Sequence, residues 1–277
     1  MNQLVTLSND KEIQFILGPC QIESYNHALF LTSEIKKICD KLNVKFIFKA
    51  SFDKANRTSI NGKRGLGMQE GLTALYACKH AHGVPVLTDI HEPSQAERVA
   101  EVVDVIQIPA LLSRQTDLLI AAGKTGKIVN VKKGQFMSPF DMKHVVDKIK
   151  STGNDNIWLT ERGTFFGYNN LVNDMRGLVQ MRESNCPIIF DATHSVQSPS
   201  GQGDSSGGDR TMVPHLARAA TAVGIAGLFM EVHDDPDNAA SDGPNSVRLD
   251  NLEGILESII KIDKAVKCKN YYHHIGH

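Results

Sequence analysis

The stretch DVIQIPALLSRQTDLLIAAGKTGKIVNVKK (104–133) carries the fold in miniature. Two short apolar runs, DVIQIP (104–109) and KIVNVKK (127–133), flank a helical pattern over 114–124. Neither run alternates apolar with polar residues as a one-sided sheet would. Nearly unbroken, β-branched runs suit parallel strands covered on both faces. Parallel neighbours need a crossover between them, and the helix supplies it.

The pattern extends in both directions. Further runs are IQFILG (13–18), VKFIFKA (44–50), VPVLTDI (84–90), NIWLTER (156–162), PIIFDAT (187–193) and GLFMEV (227–232). Between the first two, Ala28, Leu31, Ile35, Ile38 and Leu42 recur at spacings of three and four, which makes one buried helical stripe. Helices also fit 68–82, 94–102, 138–152, 169–184, 209–224 and 249–267, the last with a stripe through Leu252, Ile255, Leu256, Ile259 and Val266. Eight strands, each followed by a helix, within roughly 250 residues predict an α/β fold of the (β/α)8 TIM-barrel type. An open doubly wound sheet is the competitor, but GPCQIES (18–24) follows the first strand where that fold would place G-x-G-x-x-G. No linker or composition break divides the chain, so residues 1–277 read as one domain, with an N-terminal extension (1–12) and a C-terminal tail (268–277). Leu4–Leu7 reads as a short strand before the barrel, and His273, His274 and His277 as part of the tail rather than a metal site.

Composition narrows the function. With 30 Lys and Arg against 31 Asp and Glu, the net charge of −1 excludes a polybasic protein held to nucleic acid or anionic lipid by bulk charge. No run approaches the roughly 18 apolar residues of a membrane span. Five scattered cysteines without a CxxC pair read as reduced thiols of a cytoplasmic protein. The beginning, MNQLVTLSNDKEIQF, lacks a basic flank followed by an apolar signal core.

A barrel of this kind places its active site at the C-terminal ends of the strands. Those ends are dense in chemistry: Cys20 and Glu23; Lys49, Ser51 and Asp53; Asp89, His91 and Glu92; Gln107; Lys132 and Lys133; Glu161 and Arg162; Asp191 and His194; Glu231, His233, Asp234 and Asp235. The segment KASFDKANRTSINGKRG (49–65) sets Lys49, Lys54, Arg57, Lys63 and Arg64 against the single acid Asp53 and adds hydroxyls at Ser51, Thr58 and Ser59. Guanidinium forks, ammonium groups and hydroxyls on one loop suit phosphate or carboxylate. A solvated basic loop is the plainer reading, weakened because Lys132 and Arg162 would face the same cavity. Cys20, His194, Glu231 and Asp242 converge only in a barrel, as a mixed S, N, O, O set suited to Zn, Fe or Mn. Singly, Cys20 reads as a small buried residue, His194 as a satisfied core histidine and Asp242 as a turn former. The Ser- and Gly-rich HSVQSPSGQGDSSGGDR (194–210) reads either as a lid or as an ordinary surface loop.

Several longer segments point to one family: GPCQIES (18–24), FKASFDKANRTS (48–59), LTDIHEP (87–93), DVIQIPALLSRQTDLL (104–119), NVKKGQF (130–136), ERGTFFGYNNLVNDM (161–175), IFDATHSVQ (189–197) and EVHDDPDNAASDGPNS (231–246). Across almost the whole chain, the sequence resembles the 3-deoxy-D-manno-octulosonate 8-phosphate (KDO 8-phosphate) synthases. The resemblance implies a TIM barrel, usually a homotetramer. It also implies condensation of phosphoenolpyruvate with arabinose 5-phosphate and water, toward lipopolysaccharide. By position, it assigns Lys49, Ser51, Lys54, Gln107, Lys132 and Arg162 to phosphoenolpyruvate. Asn56, Arg57, Thr58 and Ser59 fall to the pentose phosphate, with threonine at 58 where serine is common. Asp89 lies near the pentose, Pro109 and Ala110 line its path, and Gln197 fits the lid side. Lys54 and His194 are the proton-transfer candidates, and Lys132 with Arg162 stabilises developing charge. Cysteine at 20, where metal-independent members carry asparagine, implies the metal-dependent subclass with Cys20, His194, Glu231 and Asp242 as ligands of one divalent ion. Ser241, where metal-independent members tend to have cysteine, agrees.

Three rivals remain. The sister heptulosonate 7-phosphate synthases share the metal set but typically carry K-P-R-T-S where this chain has KANRTS (54–59). A metal-dependent barrel aldolase would leave Arg57 and Thr58 without a purpose. A non-catalytic sugar-phosphate sensor would not need an intact metal set.

Overall fold

A computed structural model describes residues 5–55, 62–198 and 207–268. Eight parallel strands form the barrel: β1 (Gln14–Gly18), β2 (Phe46–Lys49), β3 (Val86–Asp89), β4 (Val105–Ile108), β5 (Ile128–Lys132), β6 (Ile157–Glu161), β7 (Ile188–Asp191) and β8 (Gly227–His233). They pair in chain order, and β8 closes on β1 in a register that sets Gly18 opposite Glu231. Helices α1 (Tyr25–Lys41), α2 (Met68–His82), α3 (Ala96–Ala100), α4 (Thr116–Lys124), α5 (Met142–Lys150), α6 (Arg176–Met181), α7 (Val213–Val223) and α8 (Leu249–Val266) alternate with the strands. The expected TIM barrel is therefore present.

Strand periodicity sorts the apolar residues into two cores, because successive side chains point to opposite faces. Ile16, Ile47, Leu87, Val105, Trp158, Ile189 and Phe229 fill the barrel interior. Phe15, Leu17, Phe48, Val86 and Ile106 belong to the other cluster, which includes the helical stripes. The α1 stripe forms as expected, with Ala28, Leu31 and Ile35 buried and Ile38 and Leu42 packed against the same core. Ser24 caps that helix by accepting from the His27 amide, and Gly83 ends α2 in a left-handed turn.

Three expectations need correction. Val5–Leu7 form no strand, and Leu4 lies outside the described residues. β1 is already paired on both sides, so no edge is free for another strand in that register. Leu7 instead packs into the barrel interior cluster. The helix expected over 169–184 shortens to Arg176–Met181, because Thr164 and Val172 bridge and Phe166 and Asn169 adopt positive φ. α3 likewise contracts from 94–102 to Ala96–Ala100, entered through a 3-10 turn at Pro93–Gln95. The tail histidines and most of the tail fall outside the described residues.

Candidate active site

Glycine at 18 lets β1 approach β2 closely. Its φ is +150°, and an added Cβ would stand 2.1 Å from the Lys49 carbonyl oxygen. Two residues later, Cys20 Sγ lies 3.1 Å from Ser241 Oγ and 3.2 Å from Asp242 Oδ2. Ligand atoms of Cys20, Glu231 and Asp242 all fall within 4.8 Å of one another. His194 joins from β7's exit, with Nε2 3.5 Å from Glu231 Oε1 and 3.8 Å from Asp242 Oδ2. The four residues singled out in the sequence thus occupy one corner.

That corner has the chemistry of a cation site. Glu231 is fully buried, and its Oε2 has no hydrogen-bond partner. Burial pushes the Cys20 thiol far up, and the nearby charges of Asp242 and Glu231 push it further. Burial alone would also raise Glu231, but His194, Lys49, Lys54 and Lys132 outweigh it and hold that carboxyl at about 2. His194 Nδ1 lies 2.7 Å from Asp191 Oδ2, a contact that places the proton on Nδ1. With a divalent ion in the corner, Nε2 would be the ring nitrogen left to face it beside the two carboxylates. A thiol, a ring nitrogen and two carboxylates, with one orphaned oxygen among them, fit a divalent ion.

Cations form the rest of the pocket. Lys49 Nζ donates to the Cys20 carbonyl at 2.9 Å and to Glu231 Oε1 at 3.0 Å. Lys132 Nζ donates to Asp191 Oδ2 at 2.6 Å, lies 3.4 Å from His194 Nδ1 and sits 3.9 Å above the Phe229 ring. Arg162 Nη2 donates to Gln197 Oε1 at 2.6 Å, while its Nη1 is buried without a partner. Burial lowers the pKa of Lys132 and of Arg162, because water no longer solvates their charge. An arriving anion would restore that lost stabilisation.

On the facing side, Lys54 Nζ donates to Ser51 Oγ at 2.8 Å, and Ser51 donates to Asp89 Oδ1 at 2.5 Å. Burial draws Lys54 down, yet the carboxylates of Asp89, Glu231 and Asp242 oppose it, and its pKa is raised. Gln107 is held from within the barrel: Asn130 Nδ2 donates to its Oε1 at 3.0 Å, and Thr160 Oγ1 donates to Asn130 Oδ1 at 2.7 Å. Pro109 leads into a 3-10 turn that buries Ala110. Asn56, Arg57, Thr58 and Ser59 lie outside the described residues. Gln197–Ser198 pairs antiparallel with Gly207–Gly208, so the long seventh loop leaves and returns through a two-stranded stem.

Some rim residues serve the scaffold instead. Lys133 Nζ lies 3.5 Å from Glu161 Oε2 and donates to the Met137 carbonyl at 3.2 Å, while Glu161 Oε1 accepts the Arg162 and Gly163 amides. Arg64 pairs with Asp53, and Glu92 is exposed. Asp191 is the residue whose part the sequence leaves unstated. It joins Lys132 to His194, and its only sequence signal is its place at a strand end three residues before a histidine.

Buried cations gathered around an acid-and-thiol corner, at the C-terminal mouth of a (β/α)8 barrel, define a barrel enzyme for small anionic substrates. The profile of the DAHP synthetase I family matches residues 2–268, and the chain belongs to that family. It is 59% identical over 263 residues to a 2-dehydro-3-deoxyphosphooctonate aldolase of Rickettsia bellii (strain OSU 85-389), covering 95% of this chain and 96% of that one. The Rickettsia canadensis (strain McKiel) protein of the same name is 59% identical over 265 residues, covering 96% and 97%. That of Chelativorans sp. (strain BNC1) is 57% identical over 262 residues, covering 95% of each.

Proposed function

We propose that this chain condenses phosphoenolpyruvate with D-arabinose 5-phosphate and water, giving 3-deoxy-D-manno-octulosonate 8-phosphate and inorganic phosphate. The carrying observation is the 59% identity to a 2-dehydro-3-deoxyphosphooctonate aldolase, which extends over nearly the full length of both chains. The enol carbon C3 attacks the aldehyde C1, water adds at C2, and the resulting hemiketal phosphate loses phosphate by C–O cleavage.

Lys49, Lys132, Arg162, Ser51 and Gln107 hold the phosphate and carboxylate of phosphoenolpyruvate. Lys132 and Arg162 then stabilise the charge that develops there. Lys54, kept protonated by the acids around it, donates a proton to the aldehyde oxygen as it becomes a hydroxyl. Asn56, Arg57, Thr58 and Ser59 receive the pentose phosphate, Asp89 faces the sugar, Pro109 and Ala110 line its path, and Gln197 steadies Arg162. Asp191 orients His194 and Lys132 together.

Cys20, His194, Glu231 and Asp242 hold one divalent ion, which when bound supplies a Lewis acid for the water or the aldehyde. The Nδ1 contact with Asp191 supports His194 as a ligand through Nε2, from which it would also serve as the metal-bound proton relay. The orphaned Glu231 Oε2 supports this donor set.

The barrel runs from Gln14 to Val266, which supports one catalytic domain. We place the enzyme in the cytoplasm as a homotetramer serving lipopolysaccharide synthesis, with no nucleic-acid or membrane partner. No helix among the described residues is long and apolar enough to cross a membrane.

Phosphate release from phosphoenolpyruvate tests the reading. Release with arabinose 5-phosphate is expected; release with erythrose 4-phosphate alone would overturn it in favour of the heptulosonate activity. A chelator abolishes turnover and a divalent ion restores it. Full activity of a metal-free Cys20→Ala protein would refute the metal's role.

A further inference from the structure

Glu23 and His233 lie beside the active-site corner without joining it, yet both are bonded to the segments that build it. Glu23 is three residues past Cys20, and His233 ends β8 two residues past Glu231. Glu23 Oε1 lies 3.2 Å from His233 Nε2 and accepts the Ala240 amide at 2.7 Å. His233 Nδ1 lies 2.9 Å from the Asp235 amide and 3.2 Å from Asp234 Oδ1; with the amide donating to Nδ1, the proton on Nε2 goes to Glu23. On the outer side, His27 Nε2 lies 2.8 Å from Asp234 Oδ1, and its ring centroid is 4.8 Å from that of His233.

One carboxylate–imidazole pair therefore holds both ends of the 234–242 loop. His233 fixes the amide at its start, and Glu23 fixes the amide two residues before Asp242. Asp242 itself sits at φ +50°, a left-handed conformation that aspartate tolerates better than most residues and that aims its side chain back toward Cys20. Its carboxylate must stay beside Cys20, and a displacement of about one ångström would spoil a ligand set.

We infer that Glu23, acting with His233, is a positioning residue that holds Asp242 against Cys20; the inference rests on reading this corner as a metal site. The competing use of these side chains is a second metal site, since ligand atoms of Glu23, His27 and His233 lie within 4.8 Å of one another. Against it, both His233 nitrogens and His27 Nε2 are engaged in the contacts just described. His27 Nδ1 is the exception, buried with no partner.

The test uses the full chain with the exposed Cys268 replaced (Cys268→Ser), since Cys39, Cys78 and Cys186 are buried. Glu23→Ala removes the acceptor, and Glu23→Gln keeps an acceptor oxygen. Three quantities are measured: the alkylation rate of Cys20 by iodoacetamide in metal-free protein, zinc affinity and stoichiometry, and the thermal midpoint. Glu23→Ala is expected to alkylate at Cys20 about tenfold faster and to bind one zinc per chain about 10- to 100-fold more weakly, as loss of an outer partner typically does. Its thermal midpoint should stay close to the parent's, and Glu23→Gln should restore both other values.

An unchanged Cys20 alkylation rate in Glu23→Ala overturns the inference. So does a parent that takes two zinc ions where Glu23→Ala takes one, which would make the cluster a metal site in its own right. A parent that takes no zinc refutes the metal reading alone, and the alkylation rate still decides the positioning role. If Glu23→Ala does not fold, Ala240→Pro removes the donated amide while sparing the carboxylate, and it is read the same way.

Discussion

Burial and charge act in opposite directions on Asp89. Burial alone would raise its pKa, but Lys54, His91 and Lys49 hold it well below the ordinary carboxylate range. A depressed folded-state pKa contributes stability that is fully present above the unfolded value of about 3.9 and is lost as pH falls through the folded value. Stability should therefore decline as the medium is acidified below about pH 4. In Asp89→Asn, which has no proton to gain, this part of the decline should vanish, and urea midpoints measured from pH 5 to pH 2 would reveal it. Residue types at strand ends were legible because barrel strands deliver their last side chains to one mouth. Which of two neighbours enters the pocket was legible only through the family resemblance, not from residue type. Lys132 and Lys133 are adjacent and alike in the sequence, yet strand alternation gives Lys132 to Asp191 and Lys133 to Glu161. Asp191 needed coordinates for the same reason, since its meaning lies in partners 59 and three residues away.

Among the elements, strands were read to within two residues because buried parallel strands are short apolar runs bounded by polar turns. Helix ends were less legible, since capping and 3-10 entry turns depend on contacts outside the helix. The 169–184 segment carries an apolar stripe, but a bridge and two left-handed residues occupy its beginning. Gly18 shows how one backbone position couples elements. With the Lys49 carbonyl oxygen 2.1 Å from an added Cβ, Gly18→Ala must push β1 from β2 or twist its own backbone. Overpacking of this kind costs about 1–3 kcal/mol, and the positive φ adds to it. A lower urea midpoint is expected. Because Cys20 lies two residues past Gly18 and its carbonyl accepts from Lys49 Nζ, zinc affinity should fall as well.

At the scale of the molecule, a net charge of −1 conceals a pocket of buried cations beside an acidic corner. Average composition excludes the wrong partners but says nothing about this local separation, which only the closed barrel creates. Assembly is also a property of the whole surface. Phe166 is 95% exposed and Tyr168 fully exposed, both on the loop between β6 and α6. Within that loop Thr164 bridges Val172, and a Cβ at Gly167 would stand 2.3 Å from the Asn170 carbonyl oxygen. Phe166 itself holds φ at +79°, a conformation that costs a bulky residue about 1–3 kcal/mol and needs support from its surroundings. Two large exposed rings two residues apart make this loop the candidate for a subunit contact in the proposed assembly. If the chain assembles as the proposed homotetramer, replacing both with alanine should shift it toward smaller species in light scattering at micromolar concentration. Because neither ring belongs to the proposed ligand set of Cys20, His194, Glu231 and Asp242, zinc uptake by the substituted chain should match the parent's. A tetramer unchanged by the double substitution would remove this loop from the interface.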